Sequence, residues 1–419
     1  MSLMYDYVIV GAGIVGMAAA YHIRRLSPHS KVLVVDQNPG VGMGDTGRSA
    51  AAFRTAFTSW INRVLAKTSI DFYREVQRKG VDLGMRFVGY LFLVPEENAE
   101  TMRKVAEELR TMGIAVEFYR KLDAPVRFRV SEDEEAREMG LPDVAFGLLV
   151  KEAGIMDPEK LVRYYYEEYT RLGGEVKFNT RVENIFFAPK RPLGIPGEPF
   201  VWQDVKVAGV ETTNGVIEAR NVILATGAWT ERLMDALGFG LPLKPRKRQV
   251  FVVRADGELR RLLELGLADR EYGPMFILPK GVYMRPEPGE GTFWVGVADR
   301  RPFRLEEPPE AEEALWRYGI YPVLTKYVPA VEGRVPQNAW AGHYDENVVD
   351  YQPIVDRLAE GLYVAAGTSG SGIMKADAIG RIAAYLALGY GKAELYGGVV
   401  VESNLLRHNR CFEEERLVI

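Results

Sequence analysis

A chain of 419 residues, 47% of them hydrophobic, is long enough to build two connected domains around a large core. Its net charge of -4 leaves no basic surplus for nucleic acid. A single cysteine, Cys411, rules out a disulfide framework and any cysteine-ligated metal centre, and four scattered histidines give no metal-ligand spacing. No run of about 18 apolar residues occurs, so neither a membrane span nor a signal peptide is expected. A cytoplasmic location is the default, and peripheral membrane contact stays open.

In chain order, Tyr5 to Val10 is a short β-branched run that reads as a buried parallel strand. Gly11, Gly13 and Gly16 follow it in G-x-G-x-x-G spacing. Gly11 allows the tight strand-to-helix turn, Gly13 lets a pyrophosphate approach the backbone, and Gly16 lets a helix over Ile14 to Leu26 lie close on the sheet. The free N–H groups at Ile14 and Val15, with the partial positive charge of the helix end, then face phosphate. A second strand, Val32 to Val35, ends in Asp36, twenty residues past Gly16, and Gln37 follows. A carboxylate there accepts hydrogen bonds from a ribose hydroxyl pair and repels a 2′-phosphate. Strand, motif, helix, strand and acid in register predict a bound dinucleotide.

Next comes a glycine-rich turn, "GDTGRSA", carrying Gly44, Thr46, Gly47, Arg48, Ser49 and Ala50. Helices are predicted over 60–79 and 99–112. The charge run "SEDEEAREMG" (131–140) opens on a helix N-cap signal at Ser131 and reads as a solvated helix face. Asp157 and Pro158 begin another helix, 158–172, which Gly173 and Gly174 end. A strand over 176–178 and then Val182 follow. The stretch 188–200, dense in Pro and Gly, reads as a surface loop within a β-rich segment. A buried strand over 222–225 runs into "ATGAWT", with Ala225, Thr226, Gly227 and Trp229. Near the C-terminus "GTSGSGIMK" (Gly367, Gly370, Ser371, Gly372, Ile373, Met374, Lys375) repeats the strand, glycine turn and helix order, with a helix over 376–388. A nucleotide unit assembled from three separated segments is not the layout of a simple NAD dehydrogenase.

The motifs "VIVGAGIVG…VVDQ", "GDTGRSAAAFRTAF", "ATGAWT", "YMRPEPGEGTFWVG", "VDYQPIVD" and "GTSGSGIMKADAIG" stand in an order that resembles the D-amino-acid oxidase-like family of FAD enzymes. "GRSAAAFRTAF" is most similar to the branch of sarcosine oxidase and the dye-linked L-proline dehydrogenase β-subunit. The resemblance spans nearly the whole chain. It implies an α/β protein (α+β overall) in which a Rossmann-like FAD domain is built from discontinuous segments 1–80, 145–235 and 335–419. A substrate domain with a large mixed or antiparallel sheet would come from 81–144 and 236–334. The branch's covalent linkage uses a cysteine after the C-terminal glycine turn; none stands there, which favours noncovalent FAD.

Site residues follow from the same resemblance. Gly370 and Gly372 let the backbone approach the flavin, and the next helix aims its N–H groups at the N1/C2-carbonyl edge, where negative charge builds on reduction. Arg54, within "RTAF", matches the arginine that clamps a substrate carboxylate, a task suited to its bidentate fork; a salt bridge beneath the flavin is the plainer reading. His343 and Tyr344 stand near an active-site tyrosine of the family, or are satisfied core residues. The family's carboxylate-binding lysine lies two positions after the second glycine, where this chain has Met374. Lys375 is one further on and does not inherit that role from spacing. In "GTFWVG", Trp294 takes the position of a lysine that assists oxygen activation, or else fills an interface, and its apolar neighbours leave nothing cationic there.

The resemblance thus implies an FAD-dependent amine or amino-acid dehydrogenase. A proline- or sarcosine-like substrate would pass a hydride from its α-carbon to flavin N5, leaving an imine, with electrons going on to a quinone, dye or electron-transfer protein. Four alternatives stay open: an oxidase releasing peroxide, a 2-hydroxy-acid or glycerol-3-phosphate dehydrogenase with His343 as base, a subunit of a larger electron-transfer complex, and a nucleotide-binding module without catalysis.

Overall fold

The computed structural model describes residues 4–411 together with Glu415 and Leu417. Two eight-stranded sheets organise them. The first runs Ile354–Ala359, Leu362–Ala366, Gly215–Leu224, Tyr5–Val10, Val32–Val35, Glu175–Lys177. Its inner pairs are parallel and its Ile354–Ala359 edge is antiparallel. Val182–Pro189 and Val205–Thr212 extend it through the early half of Gly215–Leu224.

Alternation along a strand sends successive side chains to opposite faces, so this sheet has two cores. Ile9, Val32 and Val34 pack beneath helices, with Met17, Ala18, Leu161 and Ile70. Val8, Val10, Leu33 and Val35 pack on the other face with Ile185, Val210 and Met234. Helices Ile14–Leu26 and Ala376–Ala387 cross closely, because a Cβ at Gly380 would stand 2.7 Å from Ala18 backbone. Both helices start at the same end of the sheet, so their N-termini open onto one region.

The second sheet runs Asn338–Asn347, Leu243–Arg254, Thr292–Val297, Val282–Glu287, Met275–Ile277, Tyr90–Pro95, Val144–Val150, Val116–Tyr119. All its pairs are antiparallel except Met275–Ile277 with Tyr90–Pro95. Phe251, Val253, Phe293 and Val295 bury one face against Leu315, Ile320 and Leu324.

Helix Ile14–Leu26 and strands Tyr5–Val10 and Val32–Val35 lie where the sequence puts them. The other four predicted helices each end one residue early, at Arg78, Thr111, Arg171 and Ala387, and the expected last residue is the C-cap instead. Asp157 caps its helix by accepting from the Glu159 and Lys160 N–H groups. Two expectations are corrected, and two strands pair across the expected division of the chain. Ser131 is not a cap: Asp133 accepts from the Ala136 N–H and starts only Glu134–Glu138, while the Ser131 hydroxyl donates to Asp143. Residues 188–189 finish a strand before the Pro/Gly loop begins. Nearly all of Val144–Val150 and the whole of Asn338–Asn347, which the domain boundaries assign to the nucleotide unit, pair in the second sheet. Apolar runs announce a strand without naming its neighbours.

Candidate active site

A cavity of about 860 Å³ lies where the C-terminal ends of the parallel strands meet the second sheet. One end is built on backbone. Gly11 has φ +106°, and a Cβ there would overlap the Ala225 carbonyl; a Cβ at Gly16 would overlap the Gly11 carbonyl. Gly13 is the N-cap of the following helix, and the Ile14 N–H is met by Thr46 Oγ1 at 3.0 Å. Asp36 is held by the same turn, one oxygen accepting from the Ala12 N–H at 2.7 Å and the other from the Asn38 N–H at 2.8 Å. Ile14, Val15, Asp36, Gln37, Thr46 and Val182 all line the cavity. This glycine cradle, a helix N-terminus and one fixed carboxylate fit the pyrophosphate and ribose of a dinucleotide.

The C-terminal glycine turn forms the middle of the wall. Asp345 ties it to strand Asn338–Asn347, one oxygen accepting from the Gly367 N–H at 2.7 Å and the other from the Thr368 hydroxyl at 2.6 Å. Burial pushes this carboxyl upward even so. Gly370 has φ +79°, and a Cβ there would overlap the Tyr344 ring, so only glycine lets the turn lie on that ring. Ser371, Gly372, Ile373, Met374 and Lys375 line the cavity, as do Ala225, Thr226, Gly227 and Trp229 and the segment Gly44, Thr46, Arg48, Ser49, Ala50.

At the far end the wall becomes side chains. Arg54 ends strand Ala52–Arg54, is 6% exposed, and donates Nη1 to the Ala56 carbonyl and Nη2 to the Leu417 carbonyl, each at 2.6 Å, with its guanidinium over Phe57. Burial lowers its pKa. Lys375, 1% exposed, donates Nζ to Asn62 Oδ1 at 2.7 Å and Ser371 Oγ at 2.6 Å. Burial first, then the Arg54 charge, brings its amine down to about 7. Among the described residues neither forms an ion pair. Glu415 instead takes the Thr58 and Ser59 N–H groups at 2.9 and 3.1 Å. Tyr90, Tyr283 and Tyr344 complete this end, each phenol pushed up by burial.

His343 lines the cavity but has no lone pair to offer. Its Nε2 accepts from the Glu306 N–H at 3.1 Å, which puts the ring proton on Nδ1, 3.5 Å from Asp45; the ring edge packs on Trp229. This hydrogen bonding does not favour His343 as the general base that the alcohol-oxidation alternative calls for. Trp294 does not line the cavity. It packs edge-to-face on Trp340 with Arg285 4.1 Å above it, and Arg285 is committed to Glu287 and the Met156 carbonyl. Nor is that wall free of cations, since Arg248 from the adjacent strand lines it, paired with Asp299 and Glu346. Gly16, Gly47 and Gly367 also lie behind the lining, as supports of the turns. The sequence reading missed Asn62, Phe57, Tyr90, Arg248, Tyr283 and Glu415. Phe57 and Tyr283 stand in the stretches "RTAF" and "YMRPEPGEGTFWVG" without a signal that singles them out, and Asn62, Tyr90, Arg248 and Glu415 come from a helix, two strands and the C-terminal stretch, with no motif to join them.

The family model described as FAD dependent oxidoreductase, DAO, matches residues 6–386. The chain is 27% identical to FAD-dependent oxidoreductase domain-containing protein 1 of Xenopus laevis, over 92% of this chain and 79% of that protein. It is 24% identical to monomeric sarcosine oxidase of Bacillus sp. (strain B-0618), over 94% of both. Among solved structures, L-proline dehydrogenase from P. horikoshii superposes with a TM-score of 0.73 at 22% identity, covering 94% of this chain and 96% of that one, a likeness of fold. No described helix is long and apolar enough to cross a membrane.

Proposed function

The chain belongs to the DAO family of FAD-dependent oxidoreductases, and on that premise we propose that it is an amine or amino-acid dehydrogenase acting on a small, proline- or sarcosine-like substrate. The observation that carries this reading is the pair Arg54 and Lys375, two buried basic side chains with no ion-pair partner among the described residues, beside three tyrosines at one end of the cavity. A buried guanidinium whose hydrogen bonds among the described residues go to neutral carbonyls, with Glu415 acting on it through charge alone, is ready to receive an anion, and a carboxylate matches its fork. The aromatic wall suits the apolar body of a small amino acid. Relatives named for sarcosine and for L-proline support that class.

FAD would lie with its pyrophosphate at Gly11, Gly13, Ile14 and Val15, its ribose at Asp36 and its ring along Gly370 to Met374. When bound it supplies the two-electron acceptor for the hydride that leaves the substrate α-carbon. The chain's own part is positional. Arg54 fixes the carboxylate, Phe57 and the tyrosines exclude water, and the helix starting at Ala376 directs its dipole at the ring. The product imine hydrolyses in water, so no protein nucleophile is required.

The acceptor reading is a dehydrogenase because strand Thr292–Val297 carries no cation, and Arg248, the cation that the neighbouring strand Leu243–Arg254 brings to the cavity lining, is matched by two carboxylates. The test is anaerobic addition of L-proline and sarcosine to the yellow protein, followed by reoxidation with a dye, a quinone or oxygen. Bleaching by one of these amines and reoxidation much faster by dye or quinone than by oxygen are expected. Oxygen consumption as fast as dye reduction would make it an oxidase. Bleaching by 2-hydroxy acids and by no amine would overturn the substrate class.

A further inference from the structure

An amino acid arrives at neutral pH as a zwitterion, and its ammonium cannot release a hydride from the neighbouring carbon until the nitrogen lone pair is freed. A proton acceptor is therefore needed at the substrate end. With His343 engaged, the cavity end offers, among the described residues, one nitrogen suited to that task. We propose that Lys375 takes the proton from the substrate ammonium. This rests on the amine-dehydrogenase reading and adds to it the residue that prepares the substrate for oxidation.

The hydrogen bonding at Nζ supports a neutral amine. Its two N–H groups are matched by Asn62 Oδ1 and Ser371 Oγ, and the lone pair is left for the cavity that Lys375 lines. An ammonium would bring a third N–H and a full charge to a residue 1% exposed, a cost that the Phe57 ring face, its centre 4.6 Å from Nζ, offsets only in part. The charged groups that face it explain why it can stay neutral. Arg54 opposes protonation; Glu415 and Asp350 each favour it less strongly than Arg54 opposes it. Each of those carboxylates is already held, Glu415 by Thr58 and Ser59, Asp350 by Arg410 at 2.7 Å. Asp377, two residues along, is bound by His22 and Arg381.

Arg54 and Lys375 then act in sequence. Before substrate binds, the guanidinium keeps a second positive charge away from its neighbourhood. When the substrate carboxylate neutralises Arg54, Lys375 becomes more basic as the ammonium arrives beside it. The N–H bond of the ammonium breaks, its electron pair stays on the substrate nitrogen, and the proton forms the third N–H of Lys375. No electrons change hands in this step. The proton returns to solvent as product leaves.

The experiment compares the holoenzyme with Lys375→Met, a substitution of similar shape that removes the amine, using L-proline or sarcosine, whichever bleaches the flavin. In the unaltered enzyme kcat/KM should rise tenfold per pH unit to a break near 7 and then level. In Lys375→Met it should keep rising toward the substrate's own amine pKa, roughly 10, so that the variant is about 1,000-fold slower at pH 7 and close to the parent at pH 10. Methylamine added to Lys375→Ala should restore rate at pH 7. Two readouts do not depend on turnover. In protein labelled with [ε-13C]lysine, the resonance missing from Lys375→Met should titrate near 7. Tetrahydro-2-furoate, which has the carboxylate and ring but no ammonium, should bind parent and Lys375→Met within about 3-fold by flavin difference absorbance. A resonance titrating near 10, or an unchanged pH profile with furoate binding lost, would make Lys375 a carboxylate anchor and overturn the proposal while the amine reading stood. Absence of bleaching by any amine would remove both.

Discussion

The two ends of the cavity are made in different ways. At the nucleotide end the working atoms are backbone N–H groups and the space left by absent side chains, in Gly11, Gly13, Gly16 and Gly370, with one carboxylate, Asp36, bonded to the turn it serves. At the substrate end they are side chains, Arg54, Lys375, Tyr90, Tyr283 and Tyr344, delivered by elements far apart in the chain and steadied by Asn62 and the Leu417 carbonyl. A backbone site is part of the fold, so altering it removes the fold and the cofactor together. A side-chain site can be changed with the fold intact, which is how one family serves many substrates.

The widest gap between the ends should show in Gly16→Ala. A methyl there overlaps the Gly11 carbonyl, and neither backbone can yield without opening the turn. A loss on the order of 3 kcal/mol in urea unfolding and a protein purified without FAD are expected. Gly240→Ala, where a Cβ meets nothing within 4 Å, serves as the control and should stay yellow. A yellow, fully stable Gly16→Ala would break the comparison. Arg54→Ala should do the opposite and keep normal FAD content. Its KM for a carboxylate-bearing amine should rise about 30- to 4,000-fold, because a desolvated charge pair broken on one side costs about 2 to 5 kcal/mol. Arg54→Lys should recover part of this, having the charge without the fork. An unchanged KM in Arg54→Ala would move the carboxylate elsewhere on the wall.

This division also explains what was legible in the sequence. Gly11, Gly13, Gly16 and Asp36 sit within one βαβ unit, where spacing alone sets geometry, and helix limits followed from caps such as Asp157 and Gly173. The register between distant strands is not written locally. Within "GTFWVG" Trp294 is expected at a cavity position, yet in the ladder Gly296 is the residue opposite Val250 and Tyr283, and the indole lies further along against Trp340 and Arg285. Lys375, one position off the family's lysine by spacing, still reaches the cavity, because the short helix Ile373–Lys375 winds it inward toward Asn62. Neither Arg248 nor Glu415 carries any sequence signal of its placement.

The smallest effect should come from the residue that sequence made most tempting. His343 is buried in the cavity wall, and a histidine there invites the role of base. Its Nε2 is used up by the Glu306 N–H, and its Nδ1 proton faces Asp45. A glutamine side chain can supply an oxygen to that same N–H, so His343→Gln should lower kcat/KM by less than about 3-fold and leave every break in its pH profile where it was. His343→Leu, which strands the Glu306 N–H, should cost about 1 to 3 kcal/mol in unfolding with the same unmoved profile. If an ionisation near neutrality vanished from the profile in His343→Gln and persisted in Lys375→Met, the proton would travel through the imidazole, and the substrate end would have its base on the second sheet instead of on the glycine turn.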